Sequence, residues 1–283
     1  MKTAVSSYSF GSYLSEEKLG YLGIIEKAKE LGFDGIEFTD AGWVCNPENA
    51  LKIKEKCAEV GIVPVNIAMG ANFLAENIKD TIANVREVID IAAIIGIPFV
   101  RHDVAYGFSN DIKIGRSYDC AIPKMVDAIR EVTKYAEQKG VRTCTENHGF
   151  FSQDALRVEK LINEVNHPNF GALVDIGNFM CADEDPTISV GIMAPYAIHA
   201  HAKDFHWKSG MDIDPGEGWF RTRAGNYLRG AIIGHGEAKP FQSIQTLKRE
   251  GYDGFISIEY EGLEDNLYGL RVGLENLKRF IEA

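Results

Sequence analysis

The chain has 283 residues, 45% hydrophobic and 25% charged, which supports one large globular core and excludes a fibrous or disordered protein. Its net charge of −11 disfavours electrostatic capture of a nucleic-acid backbone, and no stretch approaches the ~18 consecutive apolar residues of a membrane span. The cysteines, Cys45, Cys57, Cys120, Cys144 and Cys181, are odd in number and form no C-x-x-C pair; with no apolar signal-like run in MKTAVSSYSFGSY, they predict a reducing cytoplasm.

In chain order, a first strand is predicted in TAVSSYSF (3–10), followed by a helix over 15–31. A phrase then recurs: the tail of an amphipathic helix, a glycine, and a short apolar strand. It reads AKELGFDGIEF (28–38), AEVGIVPVNIA (58–68), AAIIGIPFVRH (92–102), AEQKGVRTCTEN (136–147) and LKREGYDGFISIEY (247–260). Gly32, Gly61, Gly96, Gly140 and Gly251 fit the position where a helix closes in a left-handed conformation. Further strands are predicted in FGALVDIGN (170–178) and AIHAHAKDF (197–205). Helices are predicted at 47–60, 77–95, 119–139, 153–166, 185–194, 240–250 and 265–282.

Eight strands alternating with eight helices make a (β/α)8 TIM barrel, a single domain over 1–283, in which functional groups sit at the C-terminal strand ends. An open doubly wound sheet is the runner-up, but no G-x-G-x-x-G follows the first strand. The segment 206–238, between the seventh strand and its helix, is too long for an ordinary connection. It carries Trp207, Trp219, Phe220, Arg221 and Arg223, and is expected to wall or close over a substrate. With the loops 39–47, 69–77 and 105–118 it would frame the barrel mouth.

Glu146, Asp175, His201 and Glu259 each lie near the end of a predicted strand, so a barrel would gather them at one mouth. Each has a bland alternative: a buried ion pair, a turn or helix cap, or a hydrogen-bonded core histidine. Together, three carboxylates and an imidazole need a cation to offset their repulsion in a partly desolvated pocket, so the set implies one divalent metal ion. Alternation along a strand places His148 on the face of Glu146, and Lys203 on that of His201. Glu37 and His102, ending their strands, are further pocket candidates, Glu261 competes with Glu259, and Trp207 and Arg221 are substrate-binding candidates on the long segment.

These residues resemble the xylose-isomerase-like barrels, which include sugar and sugar-phosphate isomerases, tagatose-type 3-epimerases, inosose dehydratases and abasic-site endonucleases. The resemblance spans the chain through GFDGIEF, E-N-H at 146–148, D-I-G-N at 175–178, H-A-K-D at 201–204 and I-E-Y-E at 258–261. It implies a single manganese, magnesium, cobalt or zinc ion held by Glu146, Asp175, His201 and Glu259. Asn178 stands where many relatives carry a histidine beside the substrate, and an amide does not shuttle protons near neutral pH. The endonuclease branch uses additional histidine ligands and fits this acidic chain poorly.

The expected activity is that of an isomerase or epimerase acting on a small polyhydroxylated carbonyl compound, a keto-sugar or sugar phosphate. Glu146 and Glu259 would be its base and acid around an enediolate. A dehydratase or other lyase on a keto-sugar or keto-inositol is the alternative, and a non-catalytic sugar-binding barrel is a third. No nucleic-acid or membrane partner is expected, and homo-oligomerisation stays open.

Overall fold

A computed structural model describes residues 1–39 and 42–283; Asp40 and Ala41, in the predicted loop 39–47, lie outside the described residues. Eight parallel strands close into a barrel: β1 (Lys2–Ser6), β2 (Gly35–Thr39), β3 (Val63–Met69), β4 (Phe99–His102), β5 (Arg142–Glu146), β6 (Phe170–Asp175), β7 (Ala197–Ala202) and, last in the chain, β11 (Phe255–Ile258), which seals against β1. Around it lie α1 (Gly20–Leu31), α2 (Pro47–Val60), α3 (Ile78–Ile95), α4 (Tyr118–Gln138), α5 (Ala155–Val165), α6 (Pro186–Met193), α7 (Pro240–Arg249) and α8 (Asn266–Glu282). No helix among the described residues is long and apolar enough to cross a membrane.

The five glycines of the recurring phrase all have positive φ. At Gly61 the consequence is direct: a φ of 70° ends α2, its amide closes on the Cys57 carbonyl, and the chain turns at once into β3. Outward-facing Ile36, Phe38, Val100, Ile256 and Ile258 are fully buried against the helices. Such two-sided burial is why these strands read as nearly continuous apolar runs.

Several predicted elements differ: the helix expected over 15–31 begins only at Gly20, and the strand expected over 197–205 leaves the barrel after Ala202. The first strand stops at Ser6 rather than reaching residue 10, because Ser7–Leu14 coils into 3-10 turns that break at Gly11. The segment 206–238 is not one open loop, because strand pieces at 206–208, 220–221 and 227–231 tie its turns together. The chain leaves the barrel after β7, and β8 (Asp204–Lys208), β9 (Phe220–Arg221) and β10 (Tyr227–Ala231) form an antiparallel sheet in the order β8-β10-β9. Asp204 anchors it: its carboxylate accepts from the backbone N–H groups of Phe205, Gly234, Gly236 and Ala238, each at 2.9 Å. One buried side chain therefore pins the exit and the return of the insertion.

Candidate metal centre at the barrel mouth

Register between neighbouring strands assembles the site. Asp175, ending β6, pairs with His201 on β7, and His201 pairs with Ser257 on β11. Two residues beyond Ser257, Glu259 follows the same face, its amide donating to the Ala202 carbonyl at 3.0 Å. Gly177 lets the end of β6 lie against the exit of β7, since a Cβ there would stand 2.8 Å from the Lys203 carbonyl oxygen.

Glu146, Asp175, His201 and Glu259 offer ligand atoms that all lie within 4.8 Å of one another. Nδ1 of His201 faces the three carboxylates, 3.5 Å from Asp175 Oδ2 and 3.7 Å from both Glu146 Oε1 and Glu259 Oε2. His201 Nδ1 and Asp175 Oδ2 are buried without a hydrogen-bond partner. Buried polar atoms left in this state are costly, and a cation between them removes the cost. The donor set, three carboxylate oxygens and one imidazole nitrogen, suits manganese, magnesium, cobalt or zinc.

Beneath this layer, Glu37 is fully buried, with Oε1 2.9 Å from His201 Nε2 and Oε2 2.8 Å from His199 Nε2 and 3.0 Å from Ser257 Oγ. Burial alone would raise the Glu37 carboxyl, yet His201 and His199 hold it well below the usual carboxylate range. Glu37, a pocket candidate by sequence, thus supports His201 from below and does not line the mouth cavity.

His102 is placed differently from expectation. It projects outward and packs between Phe73 and Phe170, with Nδ1 2.9 Å from the Asp103 carbonyl. Burial lowers its pKa to about 4. The inward residue of β4 is Arg101, which the sequence reading passed over. Its guanidinium stands 2.6 Å from Glu146 and 2.9 Å from Asp103, and donates to the Met69 carbonyl at 3.2 Å. An arginine inside an apolar strand was itself the available signal.

Lys203 Nζ lies 2.5 Å from Glu259 Oε2, 3.5 Å from Asp175 Oδ2 and 3.2 Å from Asn178 Oδ1. Asn178 also donates to Glu146 Oε1 at 2.8 Å, so one amide links the carboxylate of β5 to the ammonium beyond β7. Burial opposes ionisation of both glutamates, but Arg101 and His201 hold Glu146 well below the usual range, and Lys203 and His201 do the same for Glu259. Asp175 moves the other way: burial, with repulsion from Glu146 and Glu259, raises it. His148 lines the mouth with Nδ1 2.9 Å from Asp103; burial lowers its pKa, but the carboxylates of Asp103 and Glu146 carry it above the ordinary value.

A cavity of about 320 Å³ opens over this layer, lined among others by Tyr8, Arg101, His148, Lys203, Glu259 and Glu261. Tyr8 is a mouth residue that the sequence reading did not single out. Trp207 and Arg221 are elsewhere. Trp207 lines a separate cleft with Met180 and Lys239, because β8 has already left the barrel. Arg221 lies over the Tyr227 ring, 4.4 Å from its centroid, and donates to the Gly225 carbonyl.

A family model described as xylose isomerase-like TIM barrel matches residues 25–280. No curated protein sequence matches the chain. Among solved structures, a xylose isomerase-like TIM barrel protein from Mycobacterium smegmatis in complex with magnesium is similar at 18% identity and a TM-score of 0.74, covering 99% of this chain and 97% of that one. The D-psicose 3-epimerase of Clostridium cellulolyticum H10 with D-tagatose matches at 16% identity and 0.76, covering 100% of both chains. The probable 3-DHS dehydratase AsbF of Bacillus anthracis matches at 19% identity and 0.75, over 98% of this chain and 99% of that one. At these identities the likeness establishes the barrel and leaves the reaction to the site.

Proposed function

The chain belongs to the xylose isomerase-like TIM barrel family, and from that premise we propose that it is a divalent-metal-dependent isomerase or epimerase of a keto-sugar, working by proton transfer through an enediolate. The observation that carries the reading is the placement of Glu146 and Glu259, each 3.7 Å from His201 Nδ1 and each held ionised by its own cation. Glu146, Asp175, His201 and Glu259 would hold a divalent ion, which would supply the Lewis acidity that makes a C–H beside a carbonyl acidic.

Glu146 is the base: ionised and fixed by Arg101 and Asn178, it takes the proton from carbon. Glu259 is the return path. Lys203 Nζ, 2.5 Å from Glu259 Oε2, fixes that carboxylate, which takes a proton from water in the mouth and delivers it to the enediolate. The count closes when Glu146 releases its proton to water and Glu259 takes one from water for the next turnover.

A lyase reading is favoured by Asn178. Its amide, tied to Glu146 and Lys203, cannot return a proton, while His148 stands at the mouth with Asp103 behind it, placed to protonate a departing hydroxyl. Incubating candidate keto-sugars with the metal-loaded protein in heavy water separates the readings. An isomerase or epimerase returns sugar carrying deuterium next to the carbonyl, whereas a dehydratase returns product lighter by one water. Isomerised sugar of unchanged mass and without solvent label would remove the proton-transfer isomerase and leave a hydride shift.

A further inference from the structure

Every permanent cation lining the mouth cavity is already committed to a carboxylate. Arg101 is within 2.9 Å of both Glu146 and Asp103, and Lys203 is 2.5 Å from Glu259. Among the described residues of this cavity no other lysine or arginine faces the space, while Glu261 adds another carboxylate to its wall. A phosphate or carboxylate on the substrate would enter this field without a free positive partner, against the usual recognition of such groups by Arg or Lys.

The cavity does not end at the metal layer. A second space of about 200 Å³ adjoins it through three shared wall residues, His148, Lys203 and Glu261. Its far walls are the rings of Phe150 and Phe220, 45% and 37% exposed, with Gln153 beside them. Two large apolar rings kept in solvent beside a polar cavity need a reason.

Phe150 is pinned through its backbone and Phe220 through its ring. Phe150 has a φ of 63°, uncommon for a bulky side chain; its amide donates to Gln153 Oε1 and its carbonyl accepts from Arg223 Nη2, both at 2.5 Å. Arg223 is itself tied to Asp154 at 3.0 Å, so it braces the turn and brings no free charge. Phe220, on β9, meets the buried Phe205 edge-on with centroids 5.6 Å apart. Aromatic faces next to carboxylates and amides suit a sugar or aromatic ring, which presents an apolar face and a polar rim.

We propose that the mouth is built for an uncharged glycoside of two rings, with the keto-sugar ring over Glu146 and Glu259 and the attached ring between Phe150 and Phe220. The proposal rests on the reading of the mouth as a sugar-modifying site and deepens it by naming the substrate class.

The test is calorimetric titration of the full chain loaded with magnesium, using methyl and phenyl glucosides in both anomers, then glucose and glucose 6-phosphate. The phenyl ligand of at least one anomer should bind about tenfold or more tightly than its methyl partner, a difference of ~1.4 kcal/mol. Phe150→Ala and Phe220→Ala should each erase that preference, with unchanged circular dichroism as the check on folding. No preference in either anomer, or a preference that survives both substitutions, overturns the second-ring subsite. Glucose 6-phosphate binding more tightly than glucose overturns the uncharged class. Deuterium exchange into a small ketose without any phenyl preference would sink this subsite alone, and the converse result would sink the proposed chemistry alone.

Discussion

Glu37 Oε1 stands 2.9 Å from Nε2 of His201, and this contact decides which nitrogen of the imidazole faces the mouth. With Nε2 turned to Glu37, the Nδ1 atom meets Glu146, Asp175 and Glu259. A carboxylate behind a ligand histidine fixes its orientation and raises its basicity, and removing such a group typically costs 10–100-fold in metal affinity. Glu37→Gln should therefore weaken manganese or magnesium binding by about that factor, measured by competition with a chelating dye. Unchanged affinity would reduce Glu37 to a structural role.

The proposed metal site predicts about one divalent ion per purified chain. Asp175→Asn and His201→Ala should strip it while leaving the barrel folded, since neither side chain belongs to the apolar layer between strands and helices. Elemental analysis of wild type and both variants decides this, and full occupancy in both would remove the site.

Arg101 is 6% exposed and neutralises two buried carboxylates. Arg101→Met keeps the volume but leaves Glu146 and Asp103 without their cation, and breaking a buried pair from one side costs about 3–5 kcal/mol. Urea unfolding with chelator present should show a loss of this size. A loss below about 1 kcal/mol would mean that the carboxylates find other partners or water.

His102 gives a pH dependence. In the folded chain, burial depresses its pKa to about 4, against an ordinary value of 6.5. Between these values the unfolded chain binds more protons, so this residue's contribution is fully present above 6.5 and is lost as pH falls towards 4. From pH 7 to 5 the loss is about 2 kcal/mol. His102→Phe, which keeps an aromatic ring between Phe73 and Phe170, should flatten the acid limb of stability by that amount in paired unfolding curves. An identical pH slope in the variant would show that His102 is not buried neutral.

Trp207 and Arg221, which the sequence suggested as substrate contacts, stand away from the mouth cavity. Trp207→Ala should change neither metal content nor glucoside affinity by more than about twofold, a difference of ~0.4 kcal/mol. Arg221→Ala should loosen the insertion by about 0.5–1 kcal/mol through loss of its stacking on Tyr227. A tenfold loss of glucoside binding in either variant would bring that residue back to the substrate.

The amino-acid sequence by itself determined the barrel and the cluster of candidate metal ligands at its mouth. Helix-closing glycines before apolar strands repeat at Gly32, Gly61, Gly96, Gly140 and Gly251, and parallel βα units bring strand ends to one mouth whatever the loops do. Glu146, Asp175, His201 and Glu259 were legible for that reason: each is a charged or titratable group ending an apolar run, and the structure brings their ligand atoms together. The phase of a four-residue strand was not legible. In FVRH either Arg101 or His102 alternates inward, and only pairing with β3 and β5 turns Arg101 to the interior. Depth was equally hidden: pairing with Ser6 and Asn66 sets Glu37 inside the barrel, in the layer below the mouth. The insertion and the Phe150–Phe220 wall depend on contacts from Asp204 to Ala238 and from Phe150 to Arg223, and no local period encodes pairings across such separations.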